Sequence, residues 1–313
     1  MARRKAKLDL RALSTEQPNP TTGELDTKSA LEIARIINAE DAKVAAAVQR
    51  ALPQIATAIE WVAEALRNGG RLLYVGAGTS GRIAALDAAE CPPTFNTSPT
   101  MVQFVIAGGA KALAGATEAD EDSRALGVRE IRRKRVNKED VVIGLAASGR
   151  TPFTVAAVEA ARSKGARTIA ITCNGGSPMA KAAELAIVVP TGPEVIAGST
   201  RMKAGTAEKM VLNIISTGAM VRLGYVYGNL MVNLHRKNSK LAERSIGIVE
   251  RALGLASRDA RSALRSARDS VPLAIVMSKA EVKRSIALGA LTRSHGHVRN
   301  AIGLAKKMRD ENR

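Results

Sequence analysis

Apolar positions early in the chain recur at helical spacing, and the pattern then changes to short apolar runs. The region from Ser29 to Asn68 predicts a helical hairpin that is broken near Pro53 and ends at Gly69 and Gly70. Helical stretches then separate five runs that are each too short for a helix: residues 71–75, 102–107, 141–146, 168–172 and 185–190. This alternation predicts an α/β fold with a five-stranded parallel sheet flanked by helices. A ligand of such a sheet binds outside the carboxyl ends of the strands.

Helical periodicity continues alone after Gly192, with one long apolar helix over 203–223 and shorter amphipathic helices from Lys240 onward. We therefore predict three parts. They are an extended N-terminal arm over 1–28, the α/β domain over 29–237, and a small basic helical domain over 238–313.

The charge of the chain is strongly positive, at +18. Residues 236–313 carry 18 Lys and Arg against 7 Asp and Glu, so most of the excess lies there. Such a field attracts anions, either nucleic acids or anionic metabolites. Aromatic residues make up only 2% of the chain, which argues against base stacking, and no nucleic-acid motif accompanies the charge. We therefore expect no nucleic-acid partner.

Several sequence features bear on location and metal binding. The N-terminus leads into polar sequence and no stretch is apolar enough to span a membrane, so we expect a cytoplasmic protein without a membrane partner. Cys91 and Cys173 are too far apart in sequence to suggest a metal pair, and we expect no metal. The three histidines, His235, His295 and His297, lack acidic or cysteine companions. We expect His295 and His297 to shape a loop.

The first predicted strand leads into Gly76-Ala-Gly-Thr-Ser-Gly-Arg82 and then directly into a helix. The glycine spacing fits a dinucleotide fingerprint, but the second strand ends without the carboxylate that would bind a ribose, so we expect no nucleotide cofactor. The remaining interpretation is a phosphate site at a helix N-terminus, where free N–H groups favour an anion. Gly78, Thr79 and Ser80 are the candidate residues of this site.

Two further loops repeat this theme. The third strand is followed by Ser148, Gly149, Arg150 and Thr151 before Pro152 opens a helix. Since neighbouring strands of a parallel sheet end at the same edge, we expect the two hydroxyl-rich loops to lie side by side. The third loop precedes the long helix. It contributes Ser199 and Thr200 as candidate hydroxyl ligands of the substrate, and Arg201 and Lys203 as candidate positive charges, with a solvated surface position as the alternative for these two.

The loop motifs resemble those of the sugar-isomerase (SIS) phosphosugar-binding fold. More narrowly, the chain is similar to the N-acetylmuramic acid 6-phosphate etherases from about residue 15 to the C-terminal helices. The narrower match rests on Thr15-Glu-Gln-Pro-Asn, on Asp87-Ala-Ala-Glu-Cys-Pro-Pro-Thr-Phe95 and on Gly228-Asn-Leu-Met-Val232. The resemblance implies a homodimeric cytoplasmic enzyme of cell-wall sugar recycling. It would convert N-acetylmuramic acid 6-phosphate and water to N-acetylglucosamine 6-phosphate and D-lactate, without metal or nucleotide.

The resemblance also implies two catalytic carboxylates. Glu90, by its motif position, would protonate the departing lactate oxygen and later activate water, while Glu121 would remove the C2 proton. The assignment of the two steps to the two residues stays open. This sequence departs from the family pattern at Ala110, where the family commonly has Glu, and in the motif usually written Glu-Gly-Ala-Glu-Asp, which here has Ala119 and Asp120 in place of Gly and Ala. Both changes lie close to the chemistry and concern substrate fine-tuning.

Glu90 lies ten residues after Ser80, which in a continuous helix is a rise of ~15 Å. This is too far for one hexose phosphate to span. Either Pro92 and Pro93 turn the chain back, or Glu90 serves the site of a partner subunit, and we favour a shared dimer site as a hypothesis.

Two other functions stay open at this stage. One is a non-catalytic regulator that senses sugar phosphates, and the other is an aldose–ketose phosphate isomerase. Neither would release D-lactate, so a D-lactate assay separates both from an etherase.

Overall fold

The computed structural model describes residues 13–115, 118–234 and 239–311. Its central element is a five-stranded, all-parallel sheet with the strand order β2-β1-β3-β4-β5. The strands are β1 (Leu72–Gly76), β2 (Val102–Ile106), β3 (Val141–Leu145), β4 (Arg167–Thr172) and β5 (Leu185–Val188). The predicted fold class and all five predicted strands are therefore confirmed.

Within the described residues up to 222, eight α-helices accompany this sheet. They are α1 (Ala30–Arg50), α2 (Leu52–Arg67), α3 (Gly78–Phe95), α4 (Glu118–Glu121), α5 (Arg124–Arg133), α6 (Pro152–Ser163), α7 (Pro178–Ala182) and α8 (Lys203–Arg222). The two predicted helices are present as α1 and α2, which follow one another across Ala51, but they meet only near this junction and do not pack along each other as the hairpin that we predicted. Ser29 and Glu32 form a reciprocal capping box that starts α1, and Pro53 lies in the first turn of α2.

The sheet is buried because β1 and β3 are apolar along their full length, as strands covered on both faces must be. One face packs Leu73, Val75 and Val142 against residues of α5 and α6, including Ile131 and Phe153. Helices thus cover the sheet and leave the carboxyl ends of its strands as the place for a site.

The remaining elements are a two-stranded antiparallel ribbon and five helices. These are β6 (Val226–Tyr227), β7 (Leu230–Met231), α9 (Ser239–Leu253), α10 (Ser257–Ser266), α11 (Val271–Ala280), α12 (Arg284–Arg293) and α13 (Val298–Asp310). Their own apolar core includes Val249, Leu264, Ile275 and Val276. The predicted helical character of the C-terminal region is confirmed.

Packing divides the chain into two units, one of Met1–Ala89 with Thr100–Ser216 and the other of Glu90–Pro99 with Thr217–Arg313. The boundary that we predicted near residue 238 falls on residues 235–238, outside the described part of the chain. The same is true of His235 and of the first twelve residues of the N-terminal arm. From residue 13 the arm has two single 3₁₀ turns, Ser14–Glu16 and Leu25–Thr27.

Within the described ranges, no helix combines the length and the apolar character that crossing a membrane requires.

Candidate functional site

The loops after β1 and β3 begin at the same level of the sheet. β1 and β3 are hydrogen-bonded neighbours, and Gly76 at the end of β1 pairs in register with Leu145 at the end of β3. The two hydroxyl-rich loops that the sequence singles out therefore start side by side, at the edge where parallel sheets bind ligands.

The β1 loop turns tightly because its glycines let backbone and side chains approach closely. A Cβ on Gly81 would lie 2.5 Å from the side chain of Ile106, and one on Gly76 would lie 2.9 Å from the backbone nitrogen of Gly81. The glycine spacing thus serves the packing of α3 against the sheet, a requirement independent of a nucleotide. α3 starts at Gly78, and Thr79 and Ser80 are half-buried in its first turn.

Glu121 lies at this loop. It is the last residue of the four-residue helix α4 and is half-buried. Gly78 has a positive φ of 51°, and a Cβ built on it would be 3.1 Å from Oε1 of Glu121. The structure therefore brings together a predicted phosphate loop and one of the two predicted catalytic carboxylates.

The β3 loop is held by its own hydrogen bonds. The Arg150 N–H donates to Oγ of Ser148 at 3.2 Å, and the Gly149 N–H donates to the Ala146 carbonyl at 2.8 Å. Thr151 occupies the N-cap position of α6, but its side chain makes no capping hydrogen bond. Nε of Arg150 is buried without a hydrogen-bond partner among the described atoms. A buried unpaired donor in a native site calls for a ligand or water.

The tip of β4 adds residues that the sequence analysis missed. Nδ2 of Asn174 donates to the Ala147 carbonyl at 2.9 Å, and Thr172 Oγ1 donates to the same oxygen at 3.1 Å. The hydroxyl of Ser14 donates to Oδ1 of Asn174 at 3.2 Å. Asn174 thereby links the β3 loop to the N-terminal arm. The only sequence signal for this contact was the arm motif that begins at Thr15.

The same arm contacts the third loop. The Gly198 N–H donates to the Thr15 carbonyl at 3.1 Å, and the Thr22 hydroxyl donates to the Val195 carbonyl at 2.9 Å. Ser199 and Thr200 follow directly and are half-buried, whereas Arg201 is exposed. The arm is thus a support for the loop that carries Ser199 and Thr200.

The N-terminus of α8 already holds a carboxylate from the protein. The buried side chain of Glu194 accepts hydrogen bonds from the N–H groups of Lys203 and Ala204 at 3.0 and 2.9 Å. The ammonium group of Lys203 is also buried and lies 2.7 Å from Oε2 of Glu40. Its role differs from the substrate contact that we predicted, because its ammonium group forms an ion pair with Glu40, 163 residues away in the sequence. We therefore leave Lys203 out of the proposed substrate contacts.

Another residue that the sequence analysis missed is Glu208 on α8. Its side chain is buried, and Oε1 accepts a hydrogen bond from the Ser80 hydroxyl at 2.9 Å. Burial raises the pKa of Glu208 to about 8, against the opposing effect of the Ser80 hydrogen bond. An acidic group with a perturbed pKa thus contacts the β1 loop directly.

Comparisons with known proteins agree with the fold and identify a family. Two family models match: the glucokinase regulatory protein N-terminal SIS domain over residues 54–162 and the SIS domain over residues 130–216. An N-acetylmuramic acid 6-phosphate etherase of Clostridium beijerinckii is 48% identical over 295 residues, which cover 94% of this chain and 97% of that protein. This chain belongs to the N-acetylmuramic acid 6-phosphate etherase family. The resemblance that the loop motifs indicated is confirmed.

Other etherases are similar over equal lengths. That of Photorhabdus laumondii is 45% identical and covers 96% of this chain and 100% of its own. That of Klebsiella aerogenes is 46% identical, with 94% and 98% covered. Among solved structures, a phosphoheptose isomerase from Neisseria gonorrhoeae overlaps 61% of this chain and 98% of its own, at 20% identity and a TM-score of 0.49. The strand order described above, and not this weak overlap, establishes the fold.

The other glutamate that resembles an etherase catalytic residue, Glu90, is exposed on α3. α3 continues through Pro92 and Pro93 to Phe95, and Asn96 ends it with a positive φ of 55°. The prolines therefore do not turn the chain back, which corrects one of our two alternatives for Glu90. The N–H of Asn96 still donates to the Pro92 carbonyl, so the last turn stays helical despite two missing donors.

The positions that depart from the etherase pattern have different surroundings. Ala110 lies in a 3₁₀ turn, Gly109–Leu113, which directly follows the tip of β2. Arg82 holds this segment, since its guanidinium donates to the carbonyls of Ala112 and Gly115 at 3.0 and 2.7 Å. Ala119 lies within α4, two residues before Glu121.

In the second unit, Nε2 of His297 lies 2.8 Å from the Arg222 carbonyl. This contact joins the loop before α13 to the end of α8.

Proposed function

We propose that this chain cleaves the D-lactyl ether of N-acetylmuramic acid 6-phosphate. The products are N-acetylglucosamine 6-phosphate and D-lactate, in the recycling of cell-wall amino sugars. The observation that carries the proposal is the carboxylate of Glu121 beside Gly78, at the start of a helix whose first turn offers free N–H groups. A base next to an anion site is what removal of a proton from a phosphosugar requires.

The phosphate is bound by the loops after β1 and β3. Backbone N–H groups at the start of α3 and the hydroxyls of Thr79 and Ser80 supply neutral donors, and the helix dipole favours the negative charge. Arg150 supplies a positive charge, and its buried, unpaired Nε supports this role. Ser148, Thr151, Ser199 and Thr200 complete the set of hydroxyls. This arrangement supports a phosphosugar as substrate.

The reaction proceeds by elimination and addition. In the open-chain aldehyde the carbonyl acidifies the proton on C2, and Glu121 takes that proton. The bond between C3 and the lactyl oxygen then breaks, and an acid protonates the oxygen as D-lactate leaves. Water adds at C3 of the resulting double bond and the proton returns to C2, so the sum is substrate plus water to the two products.

Glu90 supplies the second proton-transfer group in this proposal. Its exposed position on α3 supports a role at a site that a second copy of the chain completes. We therefore propose a homodimer whose two subunits share their active sites, and we propose that it is cytoplasmic.

Mixing Glu90→Ala with a Ser148→Ala/Arg150→Ala variant tests whether the active sites are shared. Random reassembly should restore about a quarter of wild-type activity, since half of the dimers are mixed and each has one intact site. Recovery no greater than the sum of the two variants alone would exclude shared sites.

The deciding experiment is release of D-lactate from N-acetylmuramic acid 6-phosphate. Wild-type protein should release one D-lactate for each N-acetylglucosamine 6-phosphate formed, and Glu121→Gln should retain phosphosugar binding but lose at least a hundredfold in kcat. Glu159→Gln on α6 removes an exposed carboxylate and is the matched control. Binding without D-lactate release by the wild type would favour a sensor, and sugar isomerisation without release would favour an isomerase.

A further inference from the structure

Glu208 lies within hydrogen-bonding distance of the Ser80 hydroxyl and therefore affects which other hydrogen bonds that hydroxyl can form. Its side chain is only 2% exposed, and Oε1 is 2.9 Å from Ser80 Oγ. Ser80 lies in the first turn of α3, among the groups that face the proposed phosphate. A serine hydroxyl has one hydrogen, so it can donate to one acceptor at a time.

The two protonation states of Glu208 have opposite consequences for that hydrogen. As a carboxylate, Glu208 can only accept, so Ser80 must donate to it and presents lone pairs to the phosphate. As a neutral acid, Glu208 donates its own proton to Ser80 Oγ, which frees the serine hydrogen for a phosphate oxygen. The neutral acid also removes a negative charge from beside the anion.

The other ionisable groups near Glu208 do not compensate its charge. Burial raises the pKa of the Cys173 thiol to about 12, with the charges of Glu208 and Glu194 adding to the effect, so the thiol stays neutral. The carboxylate of Glu194 accepts from two backbone N–H groups, and the ammonium of Lys203 is paired with Glu40. Among the described residues, no ion pair involves Glu208.

We propose that Glu208 is a positioning residue that must carry a proton for Ser80 to donate a hydrogen bond to the phosphate of the substrate. This inference rests on the proposed function only in placing the phosphate at the β1 loop. Substrate binding should therefore lose affinity when Glu208 ionises. The lactyl group takes no part, so the product sugar phosphate is a sufficient probe.

The direction of the pH effect follows from the raised pKa of Glu208, about 8. Below that pH the group is neutral and affinity is high, and above it affinity falls by up to tenfold for each pH unit. The phosphate itself loses its second proton near pH 6, so its own ionisation is complete before this fall begins.

The experiment measures the Kd of N-acetylglucosamine 6-phosphate by calorimetry from pH 6.5 to 9.5. Wild type should weaken about tenfold between pH 8.5 and 9.5, while Glu208→Gln should bind with a nearly constant Kd because its amide donates to Ser80 at every pH. Glu159→Gln should keep the wild-type slope. Ser80→Ala should bind more weakly at pH 7 and lose most of the slope.

A wild-type Kd that does not change with pH would overturn the proposal, as would a Glu208→Gln variant with the wild-type slope. Either result would leave D-lactate release intact and so would not touch the proposed function. Failure of the wild type to bind the sugar phosphate at any pH would also overturn this inference, whereas the proposed function is decided separately by D-lactate release. Circular dichroism of each variant confirms that it is folded before its Kd is compared.

Discussion

Nζ of Lys203 lies 2.7 Å from Oε2 of Glu40, and both side chains are almost completely buried, with 2% and 5% exposed. The pair joins the start of α8 to the middle of α1. Lys43 contacts the other carboxylate oxygen from the surface, with 61% of its side chain exposed. Lys203 therefore stabilises the start of α8, near the loop that carries Ser199 and Thr200.

Removing Lys203 should destabilise the fold strongly, because the buried Glu40 carboxylate then keeps only the exposed Lys43 and the Thr21 hydroxyl as partners. We expect Lys203→Ala to lower the free energy of unfolding by about 3–5 kcal/mol. Lys43→Ala removes a partner from the same carboxylate and should cost less than about 1 kcal/mol. Urea unfolding measures both, and equal losses would show that burial of the pair is not the source of its effect.

The same pair predicts a dependence of stability on acid. Burial alone would raise the pKa of Glu40, but hydrogen bonds from Lys203 and Lys43 outweigh it and lower the pKa from 4.5 to about 2. A lowered carboxyl pKa contributes stability that is fully present above 4.5 and is lost as the pH falls towards 2. The contribution is about 3 kcal/mol. The stability difference between wild type and Glu40→Gln should therefore shrink between pH 5 and pH 2, and a constant difference would contradict this account.

The fold could be predicted because its signals are local. Each strand is a short apolar run followed by a turn, and the predicted runs match β1 to β5 to within about two residues. The positions of the candidate phosphate loops could be predicted for the same reason, since Thr79, Ser80, Ser148 and Thr151 follow strands closely in sequence. The turn at Pro92 and Pro93, the alternative that we did not favour, is absent because α3 stays helical through both prolines to Phe95.

The part of the candidate site that could not be predicted depends on contacts between residues that are far apart in the sequence. Ser80 and Glu208 are 128 positions apart, Lys203 and Glu40 are 163 apart, and Asn174 meets Ser14 across 160. No spacing rule connects such pairs, because only the packing of α8, α1 and the arm against the strand ends brings them together. A lone Glu or Lys on an apolar helix signals that a buried partner exists, without identifying it.

Gly78 and Gly109 provide a matched test of the contact with Glu121. Both have positive φ, 51° and 64°, and both follow strand tips, but only a Cβ on Gly78 meets the Glu121 carboxylate. Both alanine variants should lose about 1 kcal/mol from backbone strain. Gly78→Ala should in addition lower kcat for D-lactate release about threefold to tenfold, because a Cβ 3.1 Å from Oε1 displaces the Glu121 carboxylate slightly. Similar kcat values for the two variants would exclude a catalytic position for Glu121 beside Gly78.

Gly149 provides a similar test for the β3 loop. Its φ is 66°, and a Cβ there would collide with the hydroxyl of Ser177 and lie 2.7 Å from Oγ1 of Thr172. Gly176 has the same φ with open space around its Cβ position. Gly149→Ala should weaken sugar-phosphate binding at least tenfold by displacing Ser148 and Arg150, whereas Gly176→Ala should bind normally. Calorimetry with N-acetylglucosamine 6-phosphate measures both, and normal binding by Gly149→Ala would remove this loop from the site.

Variants of the Asp87 hydrogen-bond network test which part of the motif that contains Glu90 is structural and which part is catalytic. Its carboxylate accepts hydrogen bonds from Tyr74 at 2.8 Å, from Asn213 at 2.8 Å and from Ser216 at 3.1 Å, in a buried setting. Asp87→Ala leaves these donors without that acceptor and should cost about 2–4 kcal/mol in urea unfolding. Ser216→Ala removes one donor from an acceptor that keeps the others, and it should cost about 1 kcal/mol.

The activities of Asp87→Ala and Ser216→Ala distinguish a structural role of this network from a catalytic one. Because the Asp87 network anchors α3 to β1 and α8, its loss should reduce the amount of folded protein at a given temperature. The kcat of D-lactate release per folded molecule should stay within about threefold of wild type for Ser216→Ala, since no proton transfer depends on it. A hundredfold fall in kcat for Ser216→Ala without loss of stability would mean that the network controls the chemistry itself. Asp87 would then have to be counted with the proposed catalytic residues Glu90 and Glu121.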